Sequence, residues 1–273
     1  MGVPYAEVIG DPIEHSKSPL IHKFWLKKLG LEGDYRATRL AAADLPNFFS
    51  TRRQDPLWRG CNVTIPHKRT ALNLADVART EALECGAANC IVPRPDGLVA
   101  YNTDGFGADA GIKRAVRTAC IIGCGGAARA AMRSLEVLAT MNVRLVVRDT
   151  SKGRALLDAF GYPPEVSGFA DAATIMWGAD YVINATPLGM MGFPAMPAEV
   201  LKGLTETTGD AVVFDMVYSP VDTELLRAAR ALRRQTVDGL VMLVEQASAA
   251  FRQFFGAEAP REHDAELRAL LTR

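Results

Sequence analysis

The chain is 273 residues long, 49% hydrophobic and 23% charged, the make-up of a globular protein with a sizeable core in one large or two modest domains. Lysine plus arginine equals aspartate plus glutamate at 31 each, so no broad basic face for nucleic acid is implied. No apolar run approaches the roughly 18 residues that span a bilayer, and the start, MGVPYAEVIGDPIEHSKSP, lacks the basic and apolar regions of a signal peptide. The expectation is a cytoplasmic protein with a small-molecule substrate, with no nucleic-acid or membrane partner, as a monomer or a homodimer.

Residues 6–10, AEVIG, read as a strand. Ser18-Pro19 then reads as an N-cap with proline at the first helical position, which predicts a helix to about Gly30. YRATRL (35–40) and GCNVTI (60–65) are strands, the second ended by Pro66 and followed by a helix to about Ala75. NCIV (89–92) and LVAY (98–101) flank PRPDG and read as a hairpin. Asp104 can cap a helix to about Ala115.

From there the pattern changes. TACIIG (118–123), RLVVR (144–148), YVINA (181–185) and VVFDMV (212–217) are buried strands with helical segments between them. TELLRAARALRR (223–234), VMLVEQASAAFRQFFG and EHDAELRALLT close the chain as helices. Continuous apolar strands alternating with helices predict a parallel, doubly wound α/β sheet.

Five cysteines, Cys61, Cys85, Cys90, Cys120 and Cys124, give an odd count with no C-x-x-C pair. Neither a disulfide framework nor a zinc site is expected, and His15, His22 and His67 form no metal pattern.

GCGGAA follows a predicted strand and opens a helix. Gly123, Cys124, Gly125, Gly126 and Ala127 would let the backbone approach a pyrophosphate, which the helix N-terminus attracts. A tight turn alone would also use such glycines. The motif is incomplete, because Ala128 holds the last glycine position. In a dinucleotide fold, an acid at the end of the second strand takes a free ribose 2′-hydroxyl, and an arginine there takes a 2′-phosphate. This chain has both, Arg148 and Asp149, with Lys152 close behind. NADP is favoured, with Arg148 on the phosphate and Lys152 or Arg154 helping; NAD stays possible.

Lys68, at the end of GCNVTIPHK, and Asp104, in YNTDGFG, are a candidate proton-handling pair. Hydride exchange between an alcohol and a nicotinamide needs a group that takes or returns the hydroxyl proton, and a lysine oriented by a carboxylate can do this. Ser16 and Ser18 bracket a lysine at a spacing that lets both hydroxyls donate to a carboxylate. Two serines near a helix start are more often simple caps.

HSKSP (15–19), GCNVTIPHK (60–68), YNTDG and GLVMLVEQ (239–246) together resemble the shikimate dehydrogenase family over nearly the whole chain. The resemblance implies an N-terminal α/β substrate-binding domain, residues 1–103 plus 240–273, and a Rossmann-like NADP-binding domain, residues 104–239. It implies reversible reduction of 3-dehydroshikimate to shikimate, with Lys68 and Asp104 catalytic. Ser16 and Ser18 then take the substrate carboxylate. Thr64, Asn89, Tyr218 and Gln246 join Lys68 and Asp104 around the ring hydroxyls, while Asn62 braces its strand. Met216, Val217 and Gly239 are placed beside the nicotinamide. Two stretches depart from the family's pattern: Ala88 and Cys90 around the retained asparagine, and Val147 and Asp149 on either side of Arg148. A relative acting on quinate or an amino-shikimate, and a non-catalytic NADP-binding regulator on the same fold, are the alternatives. Threonine at the second serine position is usual in quinate-accepting relatives, so Ser18 tilts the reading to shikimate.

Overall fold

In the computed structural model, residues 2–112 and 116–273 are described. The chain divides into two compact units, one of Met1–Asp104 with Val244–Arg273 and one of Gly105–Leu243.

The first unit is built on strands β1 (Tyr5–Gly10), β2 (Asp34–Arg39), β3 (Trp58–Val63), β4 (Val77–Ala78), β5 (Cys90–Arg94) and β6 (Gly97–Tyr101). They form one sheet in the order β2-β1-β3-β5-β6-β4. β1 runs parallel to β2 and β3, whereas β5 is antiparallel to both β3 and β6. Helices α1 (Ser18–Leu29), α2 (Leu45–Arg52), α3 (Lys68–Leu74) and α4 (Thr80–Cys85) connect these strands. β1 is buried along its whole length, as a central parallel strand should be. Its one charge, Glu7, is fully buried, and the guanidinium of Arg52 donates to it at 2.7 Å.

The pairing gathers four segments at one end of this sheet. Ile9 lies opposite Val63, so the carboxyl ends of β1 and β3 are side by side. Cys90 lies opposite both Asn62 and Tyr101, so β5 begins and β6 ends at the same edge. HSKSP after β1, TIPHK after β3, Asn89 before β5 and NTD after β6 all leave from there.

The second unit opens with α5 (Asp104–Gly111), whose first residue still belongs to the first unit. It contains β7 (Thr118–Ile122), β8 (Asn142–Val146), β9 (Val166–Ser167), β10 (Tyr181–Asn184), β11 (Val212–Asp215) and β12 (Gln235–Val237). All pair in parallel in the order β12-β11-β10-β7-β8-β9. The chain winds outward from β7 in one direction, then returns to β10 and winds in the other. That is the doubly wound dinucleotide-binding order, with its switch point between β7 and β10. Ile121, Leu145, Ile183 and Phe214 fill the core on one face of this sheet; Ile122, Val146, Val182 and Val213 fill it on the other. Helices α6 (Gly126–Val137), α7 (Thr150–Ala159), α8 (Ala172–Met176), α9 (Ala198–Gly203) and α10 (Glu224–Ala231) connect the strands. α11 (Gly239–Phe255) and α12 (Asp264–Leu271) close the chain, which re-enters the first unit at Val244. No helix of the described residues is long and apolar enough to cross a membrane. All five cysteines are free, and all but Cys124 are buried.

Two helix starts differ from expectation. Ser18 is not the cap of α1 but its first residue, preceded by Lys17 in a helical conformation without a side-chain cap. The reason is local: the Ser18 amide already donates to Ser16 Oγ at 3.3 Å. Asp104 likewise opens α5 from inside. Asn102 Oδ1 accepts its amide at 3.0 Å, which frees the Asp104 carboxylate for other partners. α5 ends at Gly111, and the expected end near Ala115 lies outside the described residues.

His22, on α1, is fully buried and stacks on Tyr35, with ring centroids 4.0 Å apart and planes 3° from parallel. Neither ring nitrogen has a hydrogen-bond partner among the described residues, and burial pushes its pKa down to about 3. The folded protein therefore holds a neutral ring while the unfolded chain takes up a proton near pH 6.5. Between those values the unfolded state binds more protons, so stability falls as pH falls, by at most about 1.4 kcal/mol per pH unit from this group. Urea unfolding at pH 7 and pH 5 should show this acid-side loss shrinking in His22→Leu. Equal losses in the two proteins would show that His22 does not resist protonation.

Candidate active site

Lys68 begins α3, directly after the turn that ends β3. Its Nζ donates to Asp104 Oδ2 at 2.7 Å. Asp104 Oδ1 accepts from Asn89 Nδ2, also at 2.7 Å. The two side chains differ in access: Lys68 is 29% exposed and Asp104 only 6%, so Lys68 is the partner that solvent or a ligand reaches. Both carboxylate oxygens accept hydrogen bonds from cationic or amide donors, which suits an ionised Asp104 in a buried place.

Asn89 cannot turn over. Its Oδ1 accepts from the Thr103 amide at 2.7 Å, and a backbone N–H can only donate. Nδ2 must then face Asp104 and Thr103 Oγ1. The backbone of Asn89 is held as firmly. Its N–H donates to Tyr101 O, and its carbonyl accepts from Val63 N at 2.8 Å and from Asn62 Nδ2 at 3.2 Å. Asn62 Oδ1 in turn accepts from the buried hydroxyl of Tyr35 at 2.6 Å. Asn62 thus braces Asn89 as well as its own strand. Tyr35, Asn102 and Thr103 escaped the sequence reading; the last two stand in the same NTD run as Asp104, which was the available signal.

Ser16 is half-buried and Ser18 buried. Ser16 Oγ accepts from the Ser18 amide, which leaves its own hydrogen free to donate. Lys17, between them, is tied to Leu271 O at 2.5 Å. Thr64 is half-buried beside Gly10, where a Cβ would stand 2.5 Å from Thr64 Cγ2; glycine is needed for the two loops to approach. Gln246 is half-buried on α11. These residues all belong to the first unit: Ser16, Ser18 and Thr64 stand on the segments gathered at one sheet end, and Gln246 comes from the part of α11 that belongs to this unit. Tyr218 belongs to the second unit, half-buried on the loop after β11, where burial raises the pKa of its hydroxyl.

In the second unit the glycine-rich loop leaves the carboxyl end of β7 at the switch point. Gly123 has φ +113°, and a Cβ there would come within 2.7 Å of Thr186 Cγ2. Gly125 is the extended residue before α6 and offers no side-chain cap, and the first turn of α6 has no acid. The N–H groups that open this helix are left for an anion, and nothing stands within 4 Å of where a Cβ on Gly125 would be. Cys124 is half-buried, and Gly126 and Ala127 form the first turn. Ala128, at the last glycine position, is fully buried in the core, small enough for the helix to pack closely on the sheet. These residues fit a pyrophosphate.

Arg148 follows β8, is exposed, and has no ion pair or hydrogen bond among the described residues. Asp149 is engaged. It is the N-cap of α7, and its Oδ1 accepts from Ser151 Oγ at 2.5 Å, Ser151 N at 3.1 Å and Lys152 N at 3.2 Å. Those bonds, that of the Ser151 hydroxyl first, lower its pKa. Lys152 Nζ lies 3.6 Å from its other oxygen.

Comparison with known proteins bears on both units. The shikimate dehydrogenase substrate binding domain matches residues 8–91, and the shikimate 5′-dehydrogenase C-terminal domain matches residues 239–266. Shikimate dehydrogenase (NADP(+)) of Sphingopyxis alaskensis is 45% identical, covering 98% of this chain and 97% of its own. The chain belongs to the shikimate dehydrogenase family.

Among solved members, shikimate 5-dehydrogenase of Thermus thermophilus, in complex with NADP(H) and shikimate, is 29% identical with a TM-score of 0.83, covering 98% of this chain and all of that one. Quinate dehydrogenase of Corynebacterium glutamicum, in complex with NAD, has the same identity and TM-score over 98% and 99% of the two chains. The shared fold therefore serves both substrates and both cofactors, and the choice lies in individual residues. Of the departures from the family's pattern, Ala88 and Cys90 are buried, and Asn89 between them keeps its full set of partners. Val147 is buried in the core of the second unit, leaving Arg148 as the exposed group at this strand end.

Gly239 opens α11, and a Cβ on it would lie 2.5 Å from Val217 C and 2.7 Å from Met216 O. Backbone atoms cannot yield as a side chain can. Gly239→Ala should lower stability by about 1–3 kcal/mol and weaken NADPH binding, read by thermal unfolding and fluorescence titration. An unchanged melting temperature and affinity would mean that Val217 and Gly239 need not touch.

Proposed function

We propose that this protein catalyses the reversible, NADP-dependent reduction of 3-dehydroshikimate to shikimate, in the cytoplasm. The observation that carries the assignment of roles is the 2.7 Å bond from Lys68 Nζ to Asp104 Oδ2, with the other Asp104 oxygen held by Asn89. NADPH, when bound, supplies the hydride. The residues of this chain handle the proton and hold the ring. Lys68 donates to the substrate oxygen as it gains negative charge, and takes the proton back in the oxidative direction. Asp104 keeps the Lys68 side chain in place and accepts from a ring hydroxyl. Ser16 and Ser18 donate to the substrate carboxylate. Thr64, Asn89, Tyr218 and Gln246 take ring hydroxyls, so that binding far from the reacting carbon orients it.

Gly123, Cys124, Gly125, Gly126 and Ala127 hold the pyrophosphate, and Val217 and Gly239 the nicotinamide. Arg148 takes the 2′-phosphate, assisted by Lys152. The preference for NADP is supported by how the two candidate residues are used. The Arg148 guanidinium is uncommitted, whereas Asp149, the acid that would read a bare ribose, spends its carboxylate on the start of α7.

The direct test is absorbance at 340 nm with purified protein and shikimate, with NADP⁺ and with NAD⁺, and then with quinate in place of shikimate. The expected result is fast reduction of NADP⁺ by shikimate and slow or no reaction in the other pairs. Faster reaction with quinate, or no reaction at all, would overturn the assignment. Lys68→Ala should lower kcat by roughly 10²–10⁴-fold while the KM for shikimate rises far less; unchanged turnover would remove Lys68 from the chemistry. Arg148→Ser should raise the KM for NADP⁺ about tenfold or more, and Asp149→Asn should not create activity with NAD⁺. If Asp149→Asn instead lowered an existing NAD⁺ activity, Asp149 would be the residue that reads the ribose.

A further inference from the structure

A buried polar cluster lies under the carboxyl ends of β10 and β11, and none of its members takes part in the proton chemistry above. Asp215, the last residue of β11, has no solvent exposure. Its Oδ1 accepts from Asn184 Nδ2 at 2.9 Å and from Val217 N at 3.0 Å, and its Oδ2 accepts from Thr223 Oγ1 at 2.6 Å. Asn184, the last residue of β10, is equally buried. Its Oδ1 accepts from the amide of Thr186 at 3.0 Å and from the Thr186 hydroxyl at 2.6 Å, which fixes the amide so that Nδ2 must face Asp215. The Leu188 amide donates to Thr186 Oγ1 at 3.1 Å and closes the turn.

Each end of this cluster meets a glycine. Thr186 presses on Gly123, the first glycine of the nucleotide loop, closely enough that a Cβ there would overlap it. Val217, whose amide Asp215 holds, has Gly239 packed against its backbone. A buried carboxylate is a costly way to hold strand ends together, since apolar residues of similar volume often hold a core as well. What it supplies is direction: three donors from three segments must converge on one group. One of them, Thr223, also caps α10 by accepting from Leu226 N.

We propose that Asp215 is a positioning residue for the dinucleotide, acting through Asn184 and Thr186 on the Gly123 turn and through the Val217 amide on the Gly239 contact. The proposal rests on the reading that Gly123, Gly125, Gly126, Val217 and Gly239 hold the cofactor. It assigns Asp215 no contact with substrate or cofactor and no proton.

Asp215→Asn keeps the shape and sets an amide hydrogen against the donors that converge there. Thr223→Val leaves the carboxylate but removes one donor to it together with the cap of α10, and Thr223→Ser restores the hydroxyl that serves both. NADPH affinity is read by nicotinamide fluorescence, shikimate affinity by calorimetry without cofactor, and folding by circular dichroism and melting temperature. The expected result is NADPH affinity weakened roughly tenfold in Asp215→Asn, weakened less in Thr223→Val and recovered in Thr223→Ser, with shikimate affinity within twofold of wild type throughout. NADPH affinity within twofold of wild type in folded Asp215→Asn would overturn the proposal, as would equal weakening for both ligands. If Asp215→Asn does not fold, Thr223→Val against Thr223→Ser decides by the same measure. Failure of the wild-type protein to bind NADPH would instead overturn the cofactor reading, and this proposal with it.

Discussion

The orientation of the Asn89 amide is the constraint on which the Lys68–Asp104 pair depends. Asp104 is buried, and a buried carboxylate without donors would be costly. One oxygen is met by Lys68 and the other by Asn89, and Asn89 can meet it only because the Thr103 amide occupies its carbonyl oxygen. Lys68, the more accessible partner, is therefore aimed by groups that are themselves held from behind. The brace reaches further back, through the Asn89 carbonyl to Asn62 and Tyr35, into the aromatic interior of the first unit. A small site is thus fixed by sheet register: β3, β5 and β6 deliver their loops to one end, and the loops bond to one another.

The second unit shows the same economy. Its loop offers backbone donors rather than side chains, which requires glycine at Gly123 for a positive φ and leaves α6 uncapped. A pair of opposite charges stands one strand over. There, Arg148 and Asp149 look interchangeable as neighbours in a string, but hydrogen bonding separates them: the acid serves its own helix and the base serves none. A carboxylate at this strand end is thus compatible with NADP when the helix behind it needs a cap.

Much of this was legible beforehand, for reasons that differ by region. The parallel strands of the second unit are continuous apolar runs, and GCGGAA between a strand and a helix has a direct mechanical meaning, so fold class and loop could be read from local pattern. Lys68 and Asp104 carry little meaning alone; the segments around them, and their resemblance to one family, singled them out. The two expected caps were displaced by equally local bonds. Ser18 and Asp104 look like helix caps, but neighbouring side chains, Ser16 and Asn102, serve those starts. α2 shows in the sequence only through Leu45, Phe48 and Phe49 at helical spacing, and β4 and β9, two residues each, are too short to show any period. Tyr35 and Asp215 were invisible for another reason. Their roles consist of bonds to residues 27 and 31 positions away, which no local spacing encodes.

The measurement that bears most directly on the proton-handling role of Lys68 is a crystal structure of the protein with shikimate bound. The expected result is Lys68 Nζ within about 3 Å of the hydroxyl that is oxidised, still bonded to Asp104, with the substrate carboxylate against the hydroxyls of Ser16 and Ser18. A carboxylate resting on Lys68 itself, with the serines turned away, would make the lysine a simple charge partner and contradict its role as the group that moves the proton.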